Sequence, residues 1–284
     1  VIFDEASQVR PHDAIGAIMR GKQIIVAGDE KQLPPTSFFD RVINDEVSEE
    51  DPDDRDPRDL ESIIDALQAK GIHRVSLKWH YRSQHEDLIA FSNHKFYDGR
   101  LITFPTPTHD RQPGLGVRLE YVPDGRYMAT RVRQEKGGIQ RNLRANIIEA
   151  SRVAELVMRH AHERPQESLG VVAFNINQRD AIEEALVHAR SLDRSVEAFS
   201  QEDRSEPFFV KSLEFVQGDE RDVIIISVGF AKNEDDKLSH NFGPINQKMG
   251  PRRLNVLVTR ARREVIVVSS IKAEDISLDR TQAE

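Results

Sequence analysis

Several residue types and patterns that carry particular chemistries are missing from this sequence of 284 residues. It has no cysteine, which excludes disulfides, thiolate metal sites, iron–sulfur clusters and a cysteine nucleophile. Its longest apolar run, residues 223–231, is far shorter than the ~18 residues that a membrane-spanning helix needs. No histidine pair has the H-E-x-x-H spacing of zinc hydrolases. We therefore expect a cytoplasmic protein with no membrane partner.

The formal net charge of −8 comes from a single stretch of the chain. Residues 40–61 contain 11 acidic and 3 basic side chains, which leaves 37 of each sign in the remainder. A remainder with balanced charge can still present a basic groove to a polyanion. Composition therefore neither supports nor excludes binding to nucleic acid.

Short apolar runs alternate with segments of helical periodicity along most of the chain. The apolar runs predict strands at residues 1–3, 23–27, 75–77, 117–122, 169–174, 223–227 and 264–269. Helical periodicity predicts helices at residues 14–19, 60–68, 86–91, 146–162, 178–190 and 254–261. This alternation favours crossover connections. We therefore predict an α/β fold with a mostly parallel sheet covered by helices on both faces.

The length of the chain allows about two domains, and we place their boundary near Lys78. Residues 1–78 are too short for a complete α/β domain, so they are predicted to be the end of a first domain. Residues 79–284 are predicted to form essentially all of a second domain. Residues 45–59 are rich in Asp, Glu and Pro and are predicted to be a solvated loop.

Polar side chains follow the first two predicted strands. Asp4 and Glu5 come directly after residues 1–3, and adjacent carboxylates there suit phosphoryl transfer. One carboxylate can hold Mg²⁺, and the other can deprotonate an attacking water. Gln32 lies in the turn after residues 23–27, where an amide can bridge a terminal phosphate and that water. Two alternatives stay open: the acids can simply begin a helix, and the polar turn can be an incidental one ended by prolines.

Five segments, in order along the chain, resemble the motifs of a known enzyme family. They are residues 1–8 (VIFDEASQ), 28–35 (GDEKQLPP), 79–83 (WHYRS) with its extension to residue 99, 217–227 (QGDERDVIIIS) and 254–262 (LNVLVTRAR). These segments are similar to motifs II to VI of superfamily 1 helicases, and most similar to the up-frameshift-like branch with its large bacterial helicase-related proteins. The resemblance implies RecA-like domains that use ATP and Mg²⁺ to move along single-stranded DNA or RNA.

The resemblance also implies a role for each matching side chain near the phosphates. Asp4 would hold Mg²⁺, Glu5 would be the general base and Gln32 would sense the γ-phosphate. Arg82 and Arg260 match two arginines that reach the nucleotide from the second domain. Such arginine fingers are worth ~10³–10⁵ in rate. The alternative for either arginine is an ordinary surface salt bridge.

Three further residues match the parts of the motifs that hold the rest of the nucleotide. Tyr81 would stack on the base, Glu220 would bind the ribose and Gly218 would let the backbone come close. For Tyr81 a place in the hydrophobic core is the competing interpretation.

The resemblance implies a nucleic-acid track along both domains, contacted chiefly through the strand's backbone. Phe174 and Asn175 occupy the place where relatives commonly show Pro-Tyr, and Ser212 lies where a Thr is usual. Positive charge is added locally by Lys248, Arg252, Arg253, Arg262 and Arg263. A cluster of this kind can equally be a solvated face.

The P-loop pattern G-x-x-x-x-G-K-[ST] does not occur in these 284 residues. In the family it precedes motif II, so we expect the P-loop half of the same parent protein to lie upstream of Val1 and to be a partner of this chain. The chain by itself is expected to bind ATP weakly and not to hydrolyse it.

Two other classes of function remain open. Asp51, Asp53, Asp54 and Asp56 suggest a metal-dependent nuclease, although no predicted strands flank them. The other class is a helicase-like module that binds nucleic acid or protein without turnover. A general base and two arginine fingers argue against it, because passive binding needs neither.

Overall fold

The computed structural model describes residues 1–35, 62–105, 113–132, 141–201, 204–247 and 249–277. The strands are β1 Ile2–Phe3, β2 Ile25–Val26, β3 Trp79–His80, β4 Ile102–Thr103, β5 Gly116–Tyr121, β6 Met128–Val132, β7 Arg141–Ala145, β8 Leu169–Ala173, β9 Phe209–Ser212, β10 Arg221–Ser227 and β11 Ala261–Ser269. The α-helices are α1 Pro11–Ile18, α2 Ile63–Ala69, α3 Asp87–Phe96, α4 Ile147–Glu163, α5 Ile176–Leu192 and α6 Gly250–Val258.

A five-stranded parallel sheet with the order β5-β11-β10-β8-β9 forms the centre of the fold. Its central strand β10 is apolar on both faces. Val223 and Ile225 enter a core built with α4 and α5, whereas Ile224 and Ile226 enter a second core with α3 and α6. Both cores are closed to solvent at this strand, because these four side chains are at most 3% exposed. The predicted α/β fold with helices on both faces of a parallel sheet is therefore confirmed.

Helices α4 and α5 begin at asparagines that satisfy otherwise unpaired backbone N–H groups. The side chain of Asn146 accepts a hydrogen bond from the Glu149 N–H, and that of Asn175 accepts one from the Gln178 N–H. Asparagine is among the strongest N-cap residues for this reason. The two caps place the first turns of α4 and α5 at the carboxyl edge of the large sheet.

The first 35 residues form a smaller layer with α2. Strands β1 and β2 pair in parallel, with Ile2 opposite Ile25. Ala6, Ala14 and Ile63 form a small core between this pair and helices α1 and α2. The other face is open, because Ile2 is 72% and Ile25 is 52% exposed. The domain boundary near residue 78 stays a prediction.

The structure differs from the sequence-based prediction at several strands. Residues 75–77 are not a strand: Val75 and Leu77 are exposed and pair with nothing in the described part of the chain. The short strand β3 follows them and pairs with β4. The antiparallel hairpin of β6 and β7 and the edge strand β9 were not predicted, because their sequences lack a clear apolar period.

Two sequence-based predictions fall on residues that the structure does not describe. The acidic loop at residues 45–59 is one, and the group of aspartates at residues 51–56 is the other. Among the described residues, no helix combines the length and apolar character required to cross a bilayer.

Candidate active site

The loops that follow β1 and β2 touch each other at the carboxyl edge of their small sheet. The Ala6 N–H donates to the carbonyl oxygen of Ala27 at 3.0 Å. A Cβ atom on Gly28 would lie 2.9 Å from the nitrogen of Ala6 and 3.0 Å from that of Ser7. Contacts that short are not tolerated, so a glycine is needed at residue 28. The close approach brings the Asp4-Glu5 pair next to the turn that contains Gln32.

Glu5 has a left-handed backbone conformation, with φ 49° and ψ 37°. This conformation costs a residue other than glycine about 1–3 kcal/mol and tends to occur at functional sites. Oδ1 of Asp4 accepts a hydrogen bond from the Glu5 N–H at 2.9 Å. Both carboxylates are exposed to solvent. The strained turn thus presents two acidic side chains outward rather than burying them in an ion pair.

The Asp4-Glu5 pair fits the way Mg²⁺ binds with a nucleotide. Within the described ranges, no group of three or more His, Asp or Glu side chains is arranged to hold a metal ion. Mg²⁺ does not need such a cage, since it is commonly held by one or two carboxylates together with waters and phosphate oxygens. Asp4 can therefore be such a ligand. Its Oδ1 accepts the hydrogen bond from the Glu5 N–H, and its Oδ2 is available to a metal ion.

Gln32 is held in place by one end of its amide. Its Nε2 donates to Oδ2 of Asp29 at 3.2 Å, which fixes the orientation of the side chain. Its Oε1 is buried and has no hydrogen-bond partner among the described residues. An unpaired buried acceptor of this kind requires an explanation. A water molecule or a protonated ligand atom would satisfy it.

Arg260 is a buried cation that lies between the two parts of the chain. The first part is formed by the described residues up to residue 78, and the second part by those from residue 79 onward. It is 3% exposed, its Nε donates to the carbonyl oxygen of Val256 at 2.8 Å, and its Nη2 donates to Oγ1 of Thr259 at 3.0 Å. No carboxylate in the described part of the chain lies within salt-bridge distance of it. Burial of a charge without such a partner is costly.

The electrostatic surroundings of Arg260 include residues from both parts. Burial and then the neighbouring Arg82 lower the pKa of Arg260 to about 10, while Glu5 and Glu220 act in the opposite direction. The guanidinium stays protonated at neutral pH. Its position near Glu5 and Arg82 brings three of the four predicted catalytic residues into one electrostatic neighbourhood.

Arg82 forms a salt bridge in this structure. Its Nε lies 2.8 Å from Oε2 of Glu220, and both side chains are 38% exposed. Glu220 also lies 3.5 Å from Nη1 of Arg262. A half-exposed pair is typically worth only about 0–1 kcal/mol. The bridge therefore holds Arg82 without committing it strongly to Glu220. We call the junction where Arg82 and Arg260 come near Glu5 the cleft.

Two of the predicted nucleotide-binding residues face open space. Tyr81 is 82% exposed, so the alternative that it belongs to the hydrophobic core does not hold. Gly218 has φ 85°, a conformation that favours glycine, and no atom lies within 4 Å of the position of a Cβ. Both are therefore accessible to a ligand.

The three predicted nucleic-acid residues lie elsewhere. Glu220 and Arg260 precede β10 and β11 at the amino edge of the parallel sheet, whereas Phe174, Asn175 and Ser212 lie at its carboxyl edge. Their side chains have local partners or are buried. Phe174 packs against Phe230, with ring centroids 6.5 Å apart; Asn175 caps α5; and Ser212 is 1% exposed. Nucleic-acid contact by these three residues stays a prediction.

Three arginines of the predicted basic cluster are paired or buried. Arg262 forms salt bridges with Glu206 and with Asp222, the latter at 3.1 Å. Arg253 is 7% exposed and donates to the carbonyl oxygen of Pro244. Arg263 contacts Gln84 and Glu167. These three offer little positive surface to a phosphate backbone, whereas Arg252 is partly exposed and Lys248 lies outside the described residues, so phosphate contact by the cluster stays a prediction.

Comparison with known proteins bears on this arrangement. Residues 60–272 match the family described as AAA domain. The chain belongs to the AAA domain family. It is 34% identical over 279 residues to "Uncharacterized ATP-dependent helicase MG140 homolog" of Mycoplasma pneumoniae. The aligned region covers 97% of this chain and 23% of that protein. It is 27% identical to "ATP-dependent helicase upf1" of Schizosaccharomyces pombe, over 96% of this chain and 26% of that protein.

These matches confirm the resemblance to superfamily 1 helicases of the up-frameshift-like branch. This chain spans about a quarter of the length of these curated relatives. Among solved structures, a PRRSV helicase superposes with a TM-score of 0.39 at 12% identity, covering 95% of this chain and 34% of the viral chain.

Sequence reasoning missed three side chains that lie within the motif segments. Asp29, Tyr97 and Asn255 each fall inside a segment that resembles a motif, but none of them was predicted to have a role. The structure joins them by hydrogen bonds across 68 and 158 residues of chain. Only their presence within three separate motif segments could have drawn attention to them.

Proposed function

We propose that this chain is the C-terminal motor portion of an ATP-dependent helicase or translocase that moves along single-stranded DNA or RNA. The observation that supports this most strongly is Arg260, a buried guanidinium without a carboxylate partner among the described residues, beside Glu5 and Arg82. A buried cation that lacks an anion is suited to receive one, and the transferred phosphoryl group is such an anion.

In this proposal the chain's own residues divide the work of hydrolysis. Asp4 would hold Mg²⁺, which would supply positive charge to the phosphate oxygens. Glu5 accepts the proton of the attacking water, and the open acceptor Oε1 of Gln32 orients that water. Arg260 and Arg82 stabilise the negative charge that develops on the γ-phosphoryl oxygens. Because Arg82 is bridged to Glu220 here, it must exchange that partner for the phosphate when the site closes.

The nucleotide's other end would be held by the exposed residues of the second part. Tyr81 would stack on the base, and the backbone at Gly218 would approach the sugar. Glu220 would accept a hydrogen bond from the ribose. The release of Arg82 from Glu220 and the binding of the ribose are then the same event. This links nucleotide binding to the delivery of the arginine finger.

The P-loop half of the same parent protein is the proposed partner. The open face of β1 and β2 supports this, because in a complete domain Ile2 and Ile25 would be covered by helices packed on that face of the sheet. A two-stranded sheet is marginal without such cover. The chain by itself would then bind ATP weakly and not hydrolyse it.

Steady-state ATP hydrolysis, with and without single-stranded DNA or RNA, tests the proposal. A longer protein that contains both a P-loop and this chain is expected to hydrolyse ATP faster when the strand is added, and Glu5→Gln is expected to remove that turnover. The 284-residue chain is expected to show none. Binding of single strands without any ATP hydrolysis by the longer protein would instead support the non-hydrolysing module.

A further inference from the structure

A chain of hydrogen bonds crosses from the loop after β2 to helix α6. Tyr97, at the end of α3, donates its hydroxyl hydrogen to Oδ2 of Asp29 at 2.5 Å. Nδ2 of Asn255, on α6, donates to the hydroxyl oxygen of Tyr97 at 2.9 Å and to the carbonyl oxygen of Lys31 at 3.0 Å. The hydroxyl of Tyr97 therefore links the Asp29 side chain to α6, beside the direct hydrogen bond from Asn255 to the Lys31 carbonyl oxygen.

Each end of this link leads to a residue of the candidate active site. Oδ2 of Asp29 accepts hydrogen bonds from both Tyr97 and Gln32, so one carboxylate oxygen positions the predicted phosphate sensor. At the other end, Asn255 directly precedes Val256, whose carbonyl oxygen accepts a hydrogen bond from Arg260, and the carbonyl oxygen of Asn255 accepts one from Oγ1 of Thr259, which is itself bonded to Arg260. The link thus runs across the cleft from Gln32 to α6, and Arg260 follows the end of that helix.

The protonation of Tyr97 suits this role. Burial and the neighbouring Asp29 carboxylate raise the pKa of Tyr97 well above its ordinary value, so the hydroxyl keeps its proton and remains a donor. Asn255 is 1% exposed, which shields the hydrogen bonds from competition by water. A short bond to an ionised acceptor in such a setting is among the stronger hydrogen bonds in proteins.

A contact that served packing alone would be expected to satisfy its buried polar atoms. Here Oε1 of Gln32 and Oδ1 of Asn255 are both buried without a hydrogen-bond partner in the described part of the chain. One open acceptor lies at each side of the Asp29–Tyr97 bond. Buried acceptors are rarely left unpaired. Their presence on both sides of the link indicates a site that is completed by something that enters the cleft.

We propose that Tyr97 is a positioning residue that couples Gln32 to α6, whose carboxyl end holds the side chain of Arg260, so that phosphate sensor and arginine finger engage the nucleotide together. This inference rests on the proposed function. If the hydroxyl is lost, the Asp29 carboxylate that positions Gln32 loses its bond to Tyr97, and the bond from Asn255 to the Lys31 carbonyl oxygen alone joins this loop to α6 at this point, so the position of Gln32 relative to α6 is less well defined. A misplacement of about 1 Å in a catalytic arrangement can cost about a hundredfold in rate.

The first experiment measures the link in the 284-residue chain itself. Because the chain has no cysteine, a pair of spin labels can be attached without background at Met19→Cys and Val187→Cys, two strongly exposed positions in the first and second parts. Tyr97→Phe is expected to broaden the distribution of label-to-label distances. The matched control is Tyr127→Phe, because the ring of Tyr127 packs on Phe230 away from the cleft. This variant is expected to leave the distribution of distances unchanged. An equally narrow distribution in Tyr97→Phe would overturn the inference.

The second experiment measures ATP hydrolysis in the longer P-loop-containing protein. Tyr97→Phe is expected to lower kcat at least about tenfold while KM for ATP changes less than about twofold, because the hydroxyl does not touch the nucleotide. Tyr127→Phe should leave both constants unchanged. A kcat within about twofold of the wild type in Tyr97→Phe would overturn the coupling.

Arg260→Ala, measured in the same assay, separates failure of this inference from failure of the proposed function. If Arg260→Ala abolishes turnover and Tyr97→Phe does not affect it, the proposed function stands and the link is wrong. If turnover survives Arg260→Ala, the proposed function itself is wrong, and the coupling falls with it.

Discussion

The two parts of this chain organise their apolar residues in opposite ways. In the second part, Ile225 lies at the centre of a five-stranded sheet and is fully buried between helices on both faces. In the first part, Ile25 lies in a two-stranded sheet and is 52% exposed. Leu33, from the first part, is buried in the second part's core instead. The second part therefore brings its own core, and the first part depends on contacts that it does not supply.

The same contrast divides the candidate active site. The second part holds Arg260 rigidly, by hydrogen bonds to Val256 and Thr259 within a buried helix end. The first part presents Asp4 and Glu5 to solvent on a strained turn. Arg260 is thus held in place before a nucleotide binds. The positions of Asp4 and Glu5, which would hold Mg²⁺ and activate water, depend on how the two parts pack together.

The largest expected effect comes from removing the buried finger. Arg260→Ala in the longer P-loop-containing protein should lower kcat for ATP by at least about a hundredfold, since an arginine finger is worth ~10³–10⁵ in rate. Nucleotide binding, measured by titration with a fluorescent ATP analogue, should remain largely intact. The contrast between the parts would then extend from packing to catalysis.

A matched arginine provides the control for this variant. Arg204 is partly exposed and lies over the ring of Phe199, 4.8 Å from its centroid, and Phe199 belongs to the core on the other face of the sheet. Arg204→Ala should leave turnover unchanged. Equal losses in the two variants would mean that Arg260→Ala acts through the fold and not through the phosphate.

The next effect tests the packing contrast with the same substitution in both parts. Ile225→Ala should lower the free energy of unfolding by about 2–5 kcal/mol, because it opens a cavity in a closed core. Ile25→Ala removes a side chain that is already half in water and should cost about 1 kcal/mol or less. Urea unfolding of the 284-residue chain measures both. A cost for Ile25→Ala as large as that for Ile225→Ala would contradict the open face of the small sheet.

The smallest effect concerns a buried acid in the second part. Glu149 is fully buried, where Oε1 accepts hydrogen bonds from Oγ of Ser227 and from the Gly229 N–H, and Oε2 accepts one from Oγ of Ser270. Burial raises its pKa from 4.5 to about 7, although these donors oppose the shift. The group joins α4 to the ends of β10 and β11.

The raised pKa of Glu149 gives a pH dependence of definite sign. The folded state binds this proton more tightly than the unfolded state, so the contribution to stability is full below pH 4.5 and is lost as the pH rises to about 7. The shift corresponds to roughly 3 kcal/mol. Glu149→Gln should therefore gain stability relative to the wild type, by up to that amount, between pH 4.5 and pH 8. Glu183→Gln, on the exposed side of α5, is the control. A pH-independent difference would contradict a buried, titrating Glu149.

Much of the second part could be predicted from its sequence, because long apolar strands leave few alternatives. Four consecutive apolar residues at 223–226 are typical of a strand that is buried on both faces of a covered parallel sheet, and the structure places them in such a strand. The same logic failed for residues 75–77. Their apolar side chains need a partner strand, and none pairs with them in the described part of the chain.

The candidate active site was predictable residue by residue but not in its connections. The motifs indicated Gln32 and Arg260 separately, since each lies in a recognisable segment. They did not indicate that Arg82 would pair with Glu220 or that Tyr97 would reach Asp29. Those contacts join residues that are far apart in sequence, so they depend on the final packing of the helices and not on any local pattern.

The most direct test of the central claim is a structure of the longer P-loop-containing protein with Mg²⁺ and a non-hydrolysable ATP analogue. The account predicts that Asp4 and Gln32 face the γ-phosphate from one side of the cleft and that Arg260 and Arg82 face it from the other, with Arg82 released from Glu220. A nucleotide bound elsewhere, with the Arg260 guanidinium still directed only at Val256 and Thr259, would contradict it.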